Sequence, residues 1–155
     1  MTDERGAVHE HPRSTARIAT HPIHPMLVPF PIVCFVGAFA TDLMYVSNGQ
    51  GGWATASSWL LGVGLVFAAL AAVAGLTDYF GEPRIRALGD ALKHMLANVT
   101  AVVLEIVNLV LRLGNADFIG STGVYISGIV VLILLYSGWK GGELVYRHGI
   151  GVLDR

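Results

Sequence analysis

The chain has 155 residues, of which 54% are hydrophobic and only 14% carry a charged side chain. A soluble domain of this size cannot bury so much apolar surface, so the composition and the mean hydropathy of +0.60 predict a membrane protein with the lipid bilayer as its solvent. The formal net charge of −1 gives no reason to expect nucleic-acid binding, and no nucleic-acid partner is predicted.

Four apolar stretches follow a polar tail at residues 1–20 and predict one membrane domain over residues 21–152, with residues 153–155 as the C-terminal end. The length of each stretch is close to that of a membrane-crossing α-helix, which needs about twenty residues. The predicted fold class is all-α, a four-helix transmembrane bundle with up-down-up-down connections. No sequence repeat is evident, although each half of the domain is a predicted helical hairpin. The helices are expected at about 26–46, 53–79, 86–113 and 121–148.

Basic residues are distributed unevenly over the two sides of this predicted bundle. With an even number of helices both termini lie on the same side, and that side holds nine of the ten lysines and arginines, leaving only Arg112 on the other. Cytoplasmic loops carry the excess of basic residues, so the sequence predicts both termini in the cytoplasm. The expected location is a bacterial cytoplasmic (inner) membrane that the chain crosses four times.

Histidine and aspartate side chains gather at the helix ends on the predicted cytoplasmic side. His21 and His24 open the first helix, Asp78 ends the second, His94 opens the third and His148 ends the fourth. Histidines at equal depth on neighbouring helices can share a metal ion or hold a haem. A single histidine at a helix end is also a common interfacial or capping residue, so both interpretations stay open. The spacing matches no established zinc motif.

The third helix carries a polar stripe along its whole length. Its members are spaced 4, 3, 4, 3 and 4 residues apart, which places them on one helix face: His94, Asn98, Ala101, Glu105, Asn108 and Arg112. Polar groups are costly in hydrocarbon, so this face is expected to point into the bundle. Glu105 lies eleven residues beyond His94, or about 16 Å, near the bilayer midplane. A carboxyl there is protonated or paired, and it serves either a proton or ion relay or the packing of the helices.

Asp42 and Arg112 are predicted to form a structural ion pair. Asp42 is eighteen residues after His24, and Arg112 is eighteen residues after His94. Because the first and third helices are expected to run in the same direction, the two charged side chains should lie at similar depth. A salt bridge between them would lower the cost of placing each charge in the membrane.

Several of these residues together resemble a known family of membrane proteins. The matching segments are His21-Pro22-Ile23-His24-Pro25, Pro29-Phe30-Pro31-Ile32, Asp42, Gly75-Leu76-Thr77-Asp78-Tyr79, His94 with Asn98, and the ending from Gly138 to Val152. Over roughly residues 20–152 the chain thereby resembles the DUF2231 family, whose members are predicted four-helix membrane proteins without an established activity. Related domains occur fused to Rieske or cytochrome c modules, so the resemblance implies a link to membrane electron transfer.

The leading functional hypothesis is a small redox or electron-transfer accessory protein with no catalytic activity of its own. Two of His24, His94 and His148 would ligate a b-type haem or a transition metal, with His21 as a further candidate metal ligand. Asp78 would orient one imidazole through its other ring nitrogen. A redox partner or a second copy of the chain is the expected protein partner. The alternatives are a cofactor-free structural or assembly subunit, and a small proton-coupled or ion carrier that uses the polar stripe of the third helix.

Overall fold

A computed structural model describes residue 12 and residues 14–152 and shows four helices long and apolar enough to cross a membrane. They are Ile23–Asn48, Gly51–Gly81, Gly89–Arg112 and Ile119–Tyr146. The prediction of an all-α chain with four membrane spans is therefore confirmed. Most of the tail predicted at residues 1–20, and the end at 153–155, lie outside the described residues.

The first half of the chain forms a short hairpin followed by two spans. Strands β1 (Arg17–Ile18) and β2 (His21–Pro22) pair antiparallel and lead directly into helix α1 (Ile23–Leu27). Helix α2 (Pro29–Asn48) continues the first span after a break at Val28, because the proline that opens α2 has no backbone N–H to donate to the preceding turn. Helix α3 (Gly51–Gly81) follows after a two-residue connection that contains Gly49 in a left-handed conformation.

The second half begins with a separate short helix, α4 (Pro83–Arg86). It lies just before the third span, which the sequence predicted to begin at about residue 86. Glu82 caps α4, because its side chain accepts hydrogen bonds from the backbone N–H and the guanidinium of Arg84. These contacts lower the pKa of Glu82 from its usual value. Helix α5 (Gly89–Arg112) forms the third span. The fourth opens as a π-helical turn at residues 119–123 and continues as α6 (Val124–Tyr146).

The centre of the bundle is packed with apolar side chains of moderate size, and the outer surface is rich in exposed large hydrophobic residues, as lipid contact requires. Helix α2 packs most extensively on α3, and α5 on α6. Close approach depends on glycine where a bulky ring fills the interface. A Cβ atom at Gly64 of α3 would lie 2.6 Å from the ring of Phe35, which is buried in α2. The four spans therefore enclose an interior that excludes lipid and can position polar side chains.

Candidate functional site

Two histidine rings meet at one end of the bundle interior. His24 projects from α1 and His94 from the start of α5, and both side chains are partly buried. The ring centroids are 6.1 Å apart and the ring planes are nearly perpendicular, at 87°. Of the four histidines that were candidate ligands, these are the two that the structure brings into ring contact.

The imidazole of His24 is anchored on the second span. Its Nδ1 lies 2.8 Å from the backbone carbonyl oxygen of Ala71 in α3. A carbonyl oxygen can only accept a hydrogen bond, so Nδ1 carries the proton and Nε2 keeps a lone pair that can accept a hydrogen bond or a metal. Gly75, one helical turn further along, leaves space for the ring, since a Cβ there would lie 2.9 Å from His24 Nδ1.

The imidazole of His94 is anchored on the fourth span in the same way. Its Nδ1 lies 2.9 Å from the carbonyl oxygen of Ser137 in α6, with the hydroxyl of the same serine at 3.0 Å. Gly141 makes room for this ring, because a Cβ there would lie 3.1 Å from His94 Cε1. On the other side, Asn98 Nδ2 lies 3.2 Å from His94 Nε2 and also donates to the backbone carbonyl of His94. Asn98 is therefore within hydrogen-bonding distance of Nε2 of His94, the ring nitrogen that would ligate a metal.

The structure places the other predicted ligands in different surroundings. His148 Nε2 lies 3.6 Å from the carboxylate of Asp90. The same carboxylate forms a salt bridge with Lys140 at 3.1 Å. His21 is exposed in β2, with Nδ1 3.4 Å from the hydroxyl of Thr20. Over the described ranges 12 and 14–152, no group of three or more histidine, cysteine, aspartate or glutamate side chains could hold a metal ion together.

The carboxylate of Asp78 binds the segment that precedes the first span. It accepts hydrogen bonds from the Ser14 hydroxyl and from the backbone N–H groups of Thr15 and Ala16. Within the part of the chain that the structure describes, its hydrogen bonds therefore go to this segment, and none goes to an imidazole. Asp78 consequently ties residues 14–16 to the end of α3.

A second polar cluster lies eighteen residues along the same two spans. Arg112 donates from Nη1 and Nη2 to the two carboxylate oxygens of Asp42, at 2.9 and 3.0 Å, and both side chains are fully buried. The hydroxyl of Ser57 donates to one of these oxygens and the hydroxyl of Ser127 to the other. Asn108 accepts from Arg112 at 2.7 Å and completes the cluster. Both charges are therefore paired and hydrogen-bonded, which is the condition for keeping them in a membrane interior.

Glu105 extends this cluster towards the middle of the bundle. Its side chain is fully buried, and Oε2 accepts a hydrogen bond from Asn108 at 2.9 Å. Its other oxygen, Oε1, has no hydrogen-bond partner among the described residues. The polar stripe predicted on the third helix thus has two separate ends, with His94 and Asn98 at one and Glu105, Asn108 and Arg112 at the other.

Sequence reasoning missed the serines that complete both sites. Ser57, Ser127 and Ser137 are each almost fully buried in otherwise apolar spans. Their isolated position in such runs was a usable signal, because a hydroxyl in hydrocarbon is expected to find a partner. The carbonyl of Ala71 had no signal at all, since every residue carries one.

Comparison with known proteins gives one match. A family model described as "Predicted membrane protein (DUF2231)" matches residues 20–154, which include every residue of the histidine pair and of the buried cluster. No curated protein and no solved structure matches the chain.

Proposed function

The chain belongs to the DUF2231 family of predicted membrane proteins, and we propose that it binds one metal centre between the imidazoles of His24 and His94. The centre is a b-type haem, or a single transition-metal ion, and the protein serves membrane electron transfer as an accessory subunit. The observation that carries the proposal is the pair of partly buried rings 6.1 Å apart, each with its Nδ1 fixed on a helix carbonyl.

The donor set fits a centre that takes two protein ligands. The imidazoles of His24 and His94 would hold such a centre through their Nε2 atoms, because each Nδ1 is already bonded to a carbonyl. A histidine that ligates through Nε2 usually donates its other N–H to a backbone carbonyl or carboxylate, which fixes the tautomer and the ring orientation. Ala71 and Ser137 supply such carbonyls to His24 and His94. Haem iron is the centre that ordinarily needs only two axial side chains.

The chain's own residues would orient and tune this centre. When bound, a haem supplies one-electron transfer, and the electron density at its axial nitrogens depends on the hydrogen bonds at the opposite ring nitrogens. The carbonyls of Ala71 and Ser137 favour a basic Nε2 in both rings. Asn98 competes for Nε2 of His94, at 3.2 Å, and its amide has to turn away for that nitrogen to ligate.

The orientation and setting of the protein are part of the same proposal. Nine of the ten basic residues lie on the side that holds both termini, which supports a bacterial cytoplasmic membrane with both termini in the cytoplasm. The histidine pair would then lie near the cytoplasmic face and exchange electrons with a redox partner there, or with a second copy of the chain.

The testing experiment is a dithionite-reduced minus oxidised visible spectrum of the purified protein, expressed with haem supplied, with metal analysis of the same sample. We expect sharp b-type bands, or one metal ion per chain, that are lost in His24→Ala and in His94→Ala while the fold survives. His148→Ala and His21→Ala are matched controls and should retain the bound species. A wild-type protein with neither bands nor stoichiometric metal would refute the proposal.

A second candidate is a cofactor-free structural or assembly subunit, which the buried cluster of Asp42 and Arg112 favours because it already joins three spans through the two charges and Ser127. This alternative predicts that His94→Ala lowers the melting temperature with no bound species to lose. A third candidate is a small proton-coupled or ion carrier, which the unpartnered Oε1 of Glu105 favours. A carrier predicts ion flux into liposomes that Glu105→Gln abolishes.

A further inference from the structure

Three polar residues in the first half of the chain each have a polar counterpart 70 residues later, in the second half. The pairs are His24 with His94, Asp42 with Arg112, and Ser57 with Ser127, each separated by 70 residues (94 − 24, 112 − 42 and 127 − 57). Two of these pairs are in direct contact, and the two serines bind the same residue. The histidine rings are in contact, the charges form a salt bridge, and both serine hydroxyls donate to the same carboxylate.

The buried faces of the first and third spans follow the same offset. In α2 the buried residues are Pro31, Phe35, Ala38 and Asp42; in α5, apart from Ala91 near its start, they are Ala101, Glu105, Asn108 and Arg112. Every one of the four positions differs by 70 residues. The two spans therefore present the same face to the interior in the same register, although two of the four pairs combine an apolar with a polar residue and a third combines opposite charges.

The two imidazole seats repeat as well. Each seat consists of a backbone carbonyl that accepts from Nδ1 and a glycine four residues later that leaves room for the ring: Ala71 with Gly75, and Ser137 with Gly141. Here the offset is 66 residues, four fewer than before. Four residues are about one helical turn, so the shift keeps each carbonyl and glycine on the same helix face.

We propose that the chain is a tandem repeat of one helical hairpin, packed about a two-fold axis that runs along the bundle, with Gly75 and Gly141 as matched positioning residues for an imidazole pair on that axis. A residue near a two-fold axis contacts its own counterpart, as His24 and Asp42 do. Membrane proteins built from parallel repeats place their binding sites at the repeat interface.

The repeat predicts how many centres the site binds per chain. Each repeat supplies one imidazole, so the site holds one centre per chain with two equivalent protein ligands, not one centre per histidine. This statement about the ligand rests on the function proposed above, whereas the repeat and its two seats do not. The seats differ at two points. Asn98 contacts Nε2 of His94, whereas its counterpart in the first repeat is Val28. The hydroxyl of Ser137 also lies near Nδ1 of His94, whereas its counterpart Ala71 has none.

The test is nitrogen NMR of the histidine rings of the full-length protein in detergent micelles. In the wild type, the Nδ1 atoms of His24 and His94 should both carry a proton. Gly75→Ala should shift the Nδ1 signal of His24 and leave that of His94 in place, and Gly141→Ala should do the reverse. Gly62→Ala and Gly138→Ala are controls on the same two helices, because a Cβ at either meets no described atom within 4 Å; they should shift neither ring.

The outcomes separate this inference from the proposed function. If the four variants behave as stated and the wild type binds no haem or metal, the repeat holds and the cofactor proposal falls. If a centre binds but either glycine variant shifts both rings equally, or a control acts as strongly, the matched seats are wrong. Should a seat variant fail to fold, the wild-type spectrum decides alone, because a ring protonated at Nε2 instead of Nδ1 at either histidine overturns the inference.

Discussion

Removing one partner of the salt bridge between Asp42 and Arg112 is expected to destabilise the protein strongly. Arg112→Gln leaves the Asp42 carboxylate with only the two serine hydroxyls as donors, inside an interior from which water is excluded. Asp42→Asn leaves the guanidinium charge without its counter-charge. Breaking a buried ion pair from one side costs about 3–5 kcal/mol. For a protein of this size about 2–4 °C of Tm accompany each kcal/mol, so the expected decrease is on the order of 6–20 °C.

The assay is thermal unfolding in detergent micelles, with the double variant included. Asp42→Asn combined with Arg112→Gln should cost less than the sum of the single changes, because neither leaves an isolated charge once both are neutral. Glu82→Gln is the matched control: its salt bridge with Arg84 is exposed at the guanidinium, and such surface pairs contribute about 0–1 kcal/mol. Unchanged Tm values in both single variants, or fully additive effects in the double variant, would show that the pair does not hold the spans together.

Three further predictions concern other positions. Gly64→Ala should lower the free energy of unfolding by about 1–3 kcal/mol, since its Cβ would lie 2.6 Å from the buried ring of Phe35; chemical unfolding against Gly62→Ala checks this. The side-chain carboxyl of Glu82 should titrate below the usual glutamate pKa because Arg84 donates to it, so the stability that this cap contributes is present at neutral pH and lost as the pH falls through the lowered pKa; a carboxyl carbon NMR titration that gives an unshifted pKa contradicts it. Asn98→Ala should free Nε2 of His94 at a cost of about 1 kcal/mol; a nitrogen NMR signal of Nε2 that stays unchanged would show that no hydrogen bond was lost.

The sequence predicts well how deep a side chain lies in the membrane. It predicts poorly which other side chains that side chain contacts. Hydropathy located four spans, and the equal eighteen-residue spacings placed Asp42 and Arg112 at the same depth, where the structure joins them by two hydrogen bonds. The same reasoning grouped His148 with His24 and His94, because all three lie at one end of their helices. Depth does not determine which face of a helix a side chain occupies. His148 follows the end of α6 at Tyr146 and lies near Asp90, so it contacts that carboxylate instead.

The surroundings of Asp78 show a second limit of sequence reasoning. The carboxylate was expected to orient an imidazole, but it accepts hydrogen bonds from Ser14, Thr15 and Ala16. Backbone N–H groups of a segment that folds back on the bundle need acceptors, and an aspartate at the end of α3 supplies one. A polar tail in the sequence gives no indication of where it docks, so this contact could not be predicted.

The two polar clusters lie at different ends of the bundle, and this separation supports a functional role for the histidine pair. Membrane helices gain little from burying apolar surface against each other, so packing and interior hydrogen bonds have to hold them together. The cluster around Asp42 and Arg112 supplies such bonds at one end of the bundle, about 27 Å along the helices from the histidines. Each ring is anchored through Nδ1 on a helix carbonyl, of α3 for His24 and of α6 for His94, and Asn98 also contacts Nε2 of His94. Hydrogen bonds from the two rings to helix carbonyls would also serve helix packing, so the loss of a bound species in His24→Ala and His94→Ala is the result that distinguishes the proposed ligand role.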